Sequence, residues 1–514
     1  MSESAGPSNK DPVDRVKKNI VANLISQAWA PLVVLLAMPF YVGLLGMEAV
    51  GLVGLYVAIQ ALARPLDAGL GMTLARELAR LSVQPDSARE MRNLLRTLAT
   101  LYWAVAAAIG LTLAASAPLI ARWWVRPDSL STETVTQAIA LMGLALGLQW
   151  PSVLYQGGLT GLQHQVSLAT INVVMVTARF LGVIGVLRWV SPTIQCYFLY
   201  QAGVLALHTV LLCGWLWWTM PRAQTRPRFR WATFKAVWRL AAGIGGVGLA
   251  ALVLTQADKI ILSKMLPLEG FGAYSVAAMA AMGLYAIFYP VFAAMQPRFT
   301  QLVTLNRNED LAAAYHGASQ LVSVLMLPAA AMLVLFSPEI LALWIGRSSV
   351  AADNWLVLSF LAGGTCLYGL FMLPYALQLA YGWTRLAFTV HAAAAAVLVP
   401  LLVSAARLWG PAGAAAAWAL PNAALVLLAV PLMHRRLMPD AMWRWLGQDI
   451  ALPLGGALLA TGLGRAVMPR GGSRPAQAAW LGGIALCAWL GAALAAPQVR
   501  ARLGRLGRHK PAER

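Results

Sequence analysis

Long apolar stretches dominate the pattern of hydrophobic and polar positions along this chain. About fourteen of them approach or exceed the ~20 residues that a helix needs to cross ~30 Å of hydrocarbon. The stretches are continuous and do not alternate, which favours helices over strands. A segment in the bilayer core must also satisfy its own backbone hydrogen bonds. The pattern therefore predicts an all-α polytopic membrane protein with about 14 transmembrane helices.

The first twelve predicted helices form two sets of six, separated by a basic stretch, and two more helices follow them. The first set comprises Ile20–Leu45, Ala49–Leu70, Leu98–Ile120, Thr134–Gly157 (broken at Pro151), Val166–Leu187 and Thr193–Met220. The second set comprises Val237–Met265, Phe271–Met295, Ala313–Phe336, Trp355–Ala380, Leu386–Ala406 and Ala412–Met433. The additional pair is Ile450–Met468 and Ala478–Ala496. A basic amphipathic segment is expected after the second helix.

The two sets of six carry a repeated sequence pattern. Residues 44–51, LLGMEAVG, recur as residues 265–272, MLPLEGFG, with Leu, Glu and Gly at matching positions. Gly161 and Gly382 match at the same separation. Since six spans separate the copies, both should have the same orientation in the membrane. The predicted organisation is a tail (1–18), a six-helix bundle (19–220), a basic linker (221–236), a second six-helix bundle (237–436), two additional helices (437–498) and a basic tail (499–514).

Composition and charge support a membrane protein and indicate its sidedness. Hydrophobic residues make up 60% of the chain and charged residues only 11%, whereas soluble domains are about 25% charged. The net charge of +20 would suggest nucleic acid for a soluble protein. Here most Lys and Arg residues fall on the side of the two termini, which is the positive-inside pattern. We therefore expect a multi-pass membrane protein with both termini cytoplasmic, and no nucleic-acid partner.

Soluble catalytic and metal-binding patterns are missing from the sequence. The four cysteines, Cys196, Cys213, Cys366 and Cys487, are widely spaced in apolar segments and predict neither a metal site nor a disulfide framework. No GxxxxGK[ST] motif is present, so the chain itself is not expected to hydrolyse ATP. We expect no catalytic residues, no metal and no cofactor other than a coupling ion, H⁺ or Na⁺.

Four short motifs give the chain a family resemblance. They are Leu66–Ala79 (LDAGLGMTLARELA), Gly157–Gln163 (GGLTGLQ), Ala257–Ala277, with an Asp-Lys pair followed by an L-E-x-x-G-x-Y turn, and Gly410–Ala415 (GPAGAA). Over residues 15–435 the chain resembles polysaccharide-export flippases of the multidrug/oligosaccharidyl-lipid/polysaccharide exporter superfamily, especially O-antigen and capsule translocases. The resemblance implies two six-helix bundles around a central cavity that opens to each side in turn. It also implies transport of an undecaprenyl-diphosphate-linked oligosaccharide to the periplasmic leaflet.

Ionisable residues inside predicted spans are the candidate site. A charge at the bilayer centre costs roughly 2.5–3.5 kcal/mol on insertion scales, so such residues usually face a wet cavity or each other. Because arginine and lysine can bind phosphate oxygens, Arg64, Arg179 and Lys259 are candidate diphosphate ligands. Asp67 and Asp258 are candidates for ion coupling. The alternative is that these charges have only structural roles. Arg64 and Asp67 would then neutralise each other, and Asp258 would pair with Arg179 or Lys259. Adjacent Asp258 and Lys259 should, however, point about 100° apart.

Polar and aromatic stripes offer a second set of candidates, for which packing is the simpler explanation. Tyr197, Gln201 and His208 share one face of the sixth predicted helix. Comparable stripes are Tyr285, Tyr289 and Gln296, and Tyr368, Tyr375 and Gln378. Such side chains suit sugars, but they also make interhelical hydrogen bonds.

Two other functions stay open from the sequence. A multidrug and toxic-compound cation antiporter of the same superfamily would favour an acidic cavity. A membrane-embedded polysaccharide polymerase or ligase would favour a long outer loop. Three bases against two acids within the spans favour an anionic substrate and hence the flippase. Expected partners are the lipid-linked oligosaccharide, the bilayer and other polysaccharide assembly proteins.

Overall fold

The described residues fold into helices, most of which are joined by short connections. The computed structural model describes residues 12–63, 67, 69–231, 245–346, 348–469 and 473–500, and these residues contain no strand. Helices α1 to α9 are Pro12–Leu45, Met47–Ala63, Leu70–Ser82, Ala88–Trp123, Thr132–Gln149, Ser152–Gly161, Gln165–Thr177, Val183–Trp189 and Ile194–Thr219. Helices α10 to α15 are Gly245–Met265, Leu268–Met282, Tyr285–Thr304, Asn308–Leu335, Ser337–Ile345 and Ser348–Ala380. Helices α16 to α20 are Thr384–Ala424, Val430–Leu437, Ala441–Arg444, Leu452–Ala466 and Arg474–Ala495.

The all-α membrane fold predicted from the apolar stretches is confirmed. Nine helices within the described residues are long and apolar enough to cross a membrane, and α11 and α12 form an apolar pair bent by 44°, a broken span or a re-entrant loop. Two shorter apolar helical segments lie near the N-terminus. They are Trp29–Leu45, which is the second half of α1, and Met47–Ala63, which is α2. Residues 389–437 count as one span although Gly410 (φ 61°, ψ −147°) interrupts the helical backbone there. The count of fourteen therefore stays a prediction.

Several predicted boundaries were wrong, for local reasons. The predicted second span ends early, since α2 ends at Ala63 and α3 begins at Leu70 after Gly69 adopts φ 76°. The predicted eighth span is the bent pair α11 and α12. The break at Pro151 is confirmed, because α5 ends at Gln149 and α6 begins at Ser152. The amphipathic segment is α3, which buries Leu70, Leu74, Leu78 and Leu81 and exposes Arg76 and Arg80.

Contacts divide the chain into two compact units. Unit 1 comprises Met1–Leu52 and Ile59–Leu249, and unit 2 comprises Val53–Ala58 and Ala250–Arg514. In unit 1, glycines allow α3 and α6 to approach closely. A Cβ at Gly157 would overlap the carbonyl oxygen of Gly71, and one at Gly161 would overlap that of Ala75. Two of the family-like motifs thus meet at one helix contact, as small residues do between membrane helices.

Unit 2 holds the two additional C-terminal helices. Helices α19 and α20 meet where Gly456 and Gly491 face each other, and a Cβ at Gly491 would lie 2.6 Å from the carbonyl oxygen of Gly456. The pair packs on α13 through an apolar cluster that contains Phe336, Leu481 and Ile484. The additional helices are therefore integral to this unit.

Candidate functional site

A π-helical segment, Ala178–Gly182, interrupts the helix that runs from α7 into α8. Such a segment leaves backbone carbonyls in need of new donors. The hydroxyl of Tyr200 donates to the carbonyl of Ala178 (2.8 Å), and that of Tyr41 donates to the carbonyl of Phe180 (2.7 Å). The side-chain amide of Gln201 donates to the carbonyl of Arg179 (3.3 Å). Side chains from α1 and α9 thus stabilise this irregular turn.

The turn presents the side chain of Arg179 within unit 1. Its Nε donates to Oε1 of Gln201 at 2.6 Å, and the guanidinium lies 5.0 Å from the centre of the Phe180 ring. Gln201 is fully buried, so it holds the arginine in one orientation. The amide of Gln201 and the ring of Phe180 therefore position the guanidinium.

Arg179 lines a polar cavity of about 630 Å³ inside unit 1. Neutral polar groups share this lining, and several are held in place by hydrogen bonds. Nε2 of His208 lies 3.0 Å from Oδ1 of Asn172, and Nε2 of Gln60 donates to Oε1 of Gln149 at 2.5 Å. The polar lining side chains are Ser26, Gln149, Ser152, Gln156, Thr160, Asn172, Arg179 and His208. No carboxylate belongs to the described lining, which gives the cavity a positive charge and many hydrogen-bonding groups.

The sequence identified Arg179 but undervalued its neighbours on α9. Gln201 and His208 were assigned to packing, whereas Gln201 orients Arg179 and His208 lines the cavity. Tyr197 does pack, with its ring centre 5.4 Å from that of Tyr41. The seven-residue spacing of Gln201 and His208, two helical turns, was the signal that could have found them.

Asp67 lies apart from this lining, between α2 and α3. Its carboxylate accepts a hydrogen bond from the hydroxyl of Tyr102 on α4 and one from the backbone N–H of Gly71 at 3.3 Å. Arg64 lies outside the described residues, so its role as a ligand and its pairing with Asp67 stay predictions. The carboxylate has hydrogen-bond donors from two helices, which gives it a structural role whether or not it also binds an ion.

Asp258 and Lys259 form an ion pair in unit 2, so the expectation that they point apart was wrong. Lys259 Nζ lies 3.3 Å from the Asp258 carboxylate and 3.2 Å from the carbonyl oxygen of Thr255, one turn earlier. The long lysine side chain bends back along its helix and reaches the preceding residue. The hydroxyl of Tyr274 on α11 donates to the same carboxylate at 2.7 Å. The tyrosine of the L-E-x-x-G-x-Y turn therefore binds the aspartate of the preceding motif.

A buried network that the sequence analysis missed connects α13 to the C-terminal helices. Asp449, in the π-helical segment Trp445–Ala451, contacts Nδ1 of His316 and accepts a hydrogen bond from Nε2 of Gln320 at 2.9 Å. The backbone N–H of Gln498 donates to Oε1 of Gln320 at 3.0 Å. All three side chains are at most 2% exposed. Asp449 lies just outside a predicted span, so it was not among the charged residues predicted to lie inside the membrane.

Candidate metal ligands do not cluster in the described part of the chain. No group of three or more His, Cys, Asp or Glu side chains there could hold a metal ion. The four cysteines are free thiols at separate positions.

These helices and their arrangement define a multi-pass membrane protein with a transporter fold. The structure resembles the lipid II flippase MurJ in an inward closed conformation (TM-score 0.65, 11% identity, 95% of this chain and 99% of that one). It also resembles an inward-facing multidrug resistance MATE family transporter of the MOP superfamily (TM-score 0.64, 14% identity, 84% and 99%). At such identities the likeness shows the fold.

The family follows from the sequence comparison. The sequence model of the family described as "Polysaccharide biosynthesis protein" matches residues 16–303, more than half of the chain. The chain belongs to this family. A Shigella flexneri protein named "Putative O-antigen transporter" is 20% identical over 411 residues, covering 78% of this chain and 94% of the relative. The resemblance proposed from the four motifs is thereby confirmed.

Proposed function

We propose that this protein is a flippase for a lipid-linked oligosaccharide in surface-polysaccharide biosynthesis. The carrier would be undecaprenyl diphosphate, moved from the cytoplasmic to the periplasmic leaflet of the bacterial inner membrane. Alternating access would involve the predicted bundles 19–220 and 237–436. The observation that carries the proposal is the cavity in unit 1, where Arg179 is surrounded by neutral polar groups.

The charge of this cavity supports an anionic headgroup. A diphosphate that enters a low-dielectric region needs a compensating cation, and guanidinium can donate two parallel hydrogen bonds to phosphate oxygens. Gln201 accepts a hydrogen bond from Nε of Arg179, and the terminal nitrogens of the guanidinium are the donors that we propose for phosphate. A hydrophobic cation, as expected for a drug antiporter, would find no carboxylate in the described lining.

The remaining lining supports a glycan. Sugar hydroxyls both donate and accept hydrogen bonds, as carboxamides and hydroxyls do. Gln149, Gln156 and Asn172 supply carboxamides, and Ser152 and Thr160 supply hydroxyls. The volume of about 630 Å³ lies within the range of ligand pockets, which suits a few sugar units better than a whole polymer.

The named relatives favour the same function. One is named "Putative O-antigen transporter" and one as a lipid II flippase. The MATE neighbours keep the cation antiporter as the second candidate. Transporter relatives also support a role without catalysis. Coupling to H⁺ or Na⁺ at Asp67 or Asp258 stays a prediction.

The decisive experiment is binding of an undecaprenyl-diphosphate oligosaccharide to purified protein, measured by native mass spectrometry. Loss of a charged hydrogen-bond donor costs about 1.5–3 kcal/mol, so Arg179→Gln should weaken binding roughly 10- to 100-fold. Arg188→Gln is the matched control, because Arg188 is an exposed arginine nine residues further along the same helix. It should bind as the wild type does.

Each other outcome has a defined meaning. Equal binding by wild type and Arg179→Gln would reject the site in unit 1 but keep the function. Absence of oligosaccharide binding together with tight binding of a hydrophobic cation would reject the flippase in favour of the antiporter.

A further inference from the structure

The basic linker after α9 is attached to the start of α4 through its backbone. The N–H of Arg228 donates to Oδ1 of Asn93 at 2.7 Å, and the N–H of Arg230 donates to the hydroxyl oxygen of Thr97 at 3.0 Å. The first residues of the linker are held as well, since Nε of Arg92 donates to the carbonyl of Pro221 at 2.7 Å. The described linker residues, 221–231, therefore have a fixed register on unit 1.

The receiving groups on α4 are buried polar side chains. Asn93 is 4% exposed and Thr97 is fully buried, on a helix face otherwise formed by residues such as Leu94 and Leu98. The hydroxyl of Thr97 donates to the carbonyl of Asn93 at 2.7 Å, which leaves its lone pairs to accept from the linker. Because buried polar groups without partners are costly, this face is built to receive an extended chain.

Attachment through the backbone leaves the basic side chains free to face outward. Arg226, Arg228 and Arg230 are all exposed and lie at every second residue of a segment that is neither helix nor strand. The aromatic rings between and beside them are exposed too, Phe229 by 47% and Trp231 by 58%. On α4, Arg89 and Arg96 are exposed one turn before and one turn after Asn93. These seven residues form what we call the linker edge.

We propose that the linker edge binds the phosphate headgroups of acidic phospholipids. Clustered arginines next to a membrane helix attract anionic headgroups, and exposed aromatic rings at the same level suit the membrane interface. Two acidic residues of this region, Glu77 and Glu90, pair with Arg80 on α3. None of the five arginines of the linker edge forms an ion pair with a described acidic residue, so their charge is available to phosphate.

The simpler explanation is that the arginines only set topology during insertion. That explanation needs the charges on one side of the membrane but places no demand on where the linker lies. A fixed edge, by contrast, depends on Asn93 and Thr97, which carry no charge. The two explanations therefore differ in what a neutral substitution on α4 should do.

The test counts phospholipids retained on the purified protein by native mass spectrometry, after equilibration with vesicles of equal phosphatidylglycerol and phosphatidylcholine. With roughly fivefold expected for each basic residue near a surface, the triple variant Arg226→Gln, Arg228→Gln, Arg230→Gln should lose at least about fivefold of bound phosphatidylglycerol. The matched control removes three exposed arginines at the other end of unit 1, Arg122, Arg126 and Arg188, and should lose less than about twofold.

A charge-neutral variant separates the fixed edge from topology. Asn93→Leu combined with Thr97→Val should lower phosphatidylglycerol retention about threefold or more, while phosphatidylcholine retention stays unchanged. Thr97→Val alone, which keeps Asn93, should give a smaller loss and serves if the double variant fails to fold. Equal losses in the two arginine triples would overturn the proposal. So would full retention in folded Asn93 and Thr97 variants. Neither result depends on transport of an oligosaccharide.

Discussion

The two units hold a partly buried cation through different partners. In unit 1, Arg179 is held by the carboxamide of Gln201 and lines a polar cavity. In unit 2, Lys259 is held by the carboxylate of Asp258, which a tyrosine hydroxyl also binds. The exposed fraction of the aspartate side chain is 1% and that of the lysine is 13%. The cation has a carboxylate partner in one unit and a neutral carboxamide partner in the other.

This difference indicates which of the two cations is better suited to bind an anionic ligand. A cation neutralised by an adjacent carboxylate offers little net charge to a phosphate, whereas a neutral amide orients a cation without supplying an opposite charge. Breaking a buried ion pair leaves an uncompensated charge and is strongly destabilising. Removal of a cation that faces a wet cavity should instead affect binding more than stability. The four predictions below test this contrast.

The largest effect is expected at Asp258. Asp258→Ala leaves the Lys259 ammonium buried without its counter-ion and should lower the free energy of unfolding by about 3–5 kcal/mol. Adding Lys259→Met should recover at least half of that loss, because no charge then stays buried. Unfolding in mixed detergent micelles measures both. A double variant no more stable than the single variant would show that the pair is not what stabilises this region.

The next prediction compares how Arg179 and Lys259 contribute to oligosaccharide binding. Arg179→Gln should weaken oligosaccharide binding at least tenfold with a change in stability below about 1 kcal/mol. Lys259→Gln should weaken binding less than about threefold, since its charge is already compensated. Isothermal titration with the solubilised lipid-linked substrate measures the ratio. Equal loss in both variants would make Lys259 a headgroup ligand, as the sequence suggested, and would end the contrast between the units.

The repeated glutamates give a smaller effect of the same kind. Glu48 is buried and accepts backbone N–H groups from Asp128 (2.8 Å), Ser129 (3.0 Å) and Leu130 (3.2 Å), and also the hydroxyl of Ser129. Its counterpart Glu269 is exposed.

Glu48→Gln should therefore cost about 1–3 kcal/mol, because an amide N–H₂ would face donors. Glu269→Gln should change the free energy of unfolding by less than about 0.5 kcal/mol. Thermal unfolding of the two variants side by side measures the difference. A larger loss at Glu269 would mean that the repeat preserves a function of this glutamate that burial does not reveal.

The smallest effect is expected at Tyr102. Tyr102→Phe removes one donor to the Asp67 carboxylate but keeps the ring, so stability should fall by about 1 kcal/mol. The backbone N–H of Gly71 still donates to the carboxylate. The ratio of transport rates with and without a proton gradient provides the second measurement. An altered response to the gradient would move Asp67 from a structural role to ion coupling.

The fold followed from the sequence more fully than the site did. Apolar stretches of span length predicted membrane helices, because the bilayer excludes other backbone solutions. The predicted helix boundaries were wrong at Gly69 and at the bend between α11 and α12. At both places the hydrophobic pattern continues although the helix changes direction. Hydrophobicity reports burial in lipid, and it does not report the backbone angle at which one helix ends.

For the site, the sequence determined which residues carry unusual charge, and Arg179, Asp258 and Lys259 were all identified by it. Only the tertiary structure decided their partners. Gln201 reaches Arg179 from 22 residues away, and Asp449 meets His316 across 133 residues. Helical periodicity fixes neighbours within one or two turns. Contacts between helices depend instead on their rotation and register, which packing of the whole unit sets.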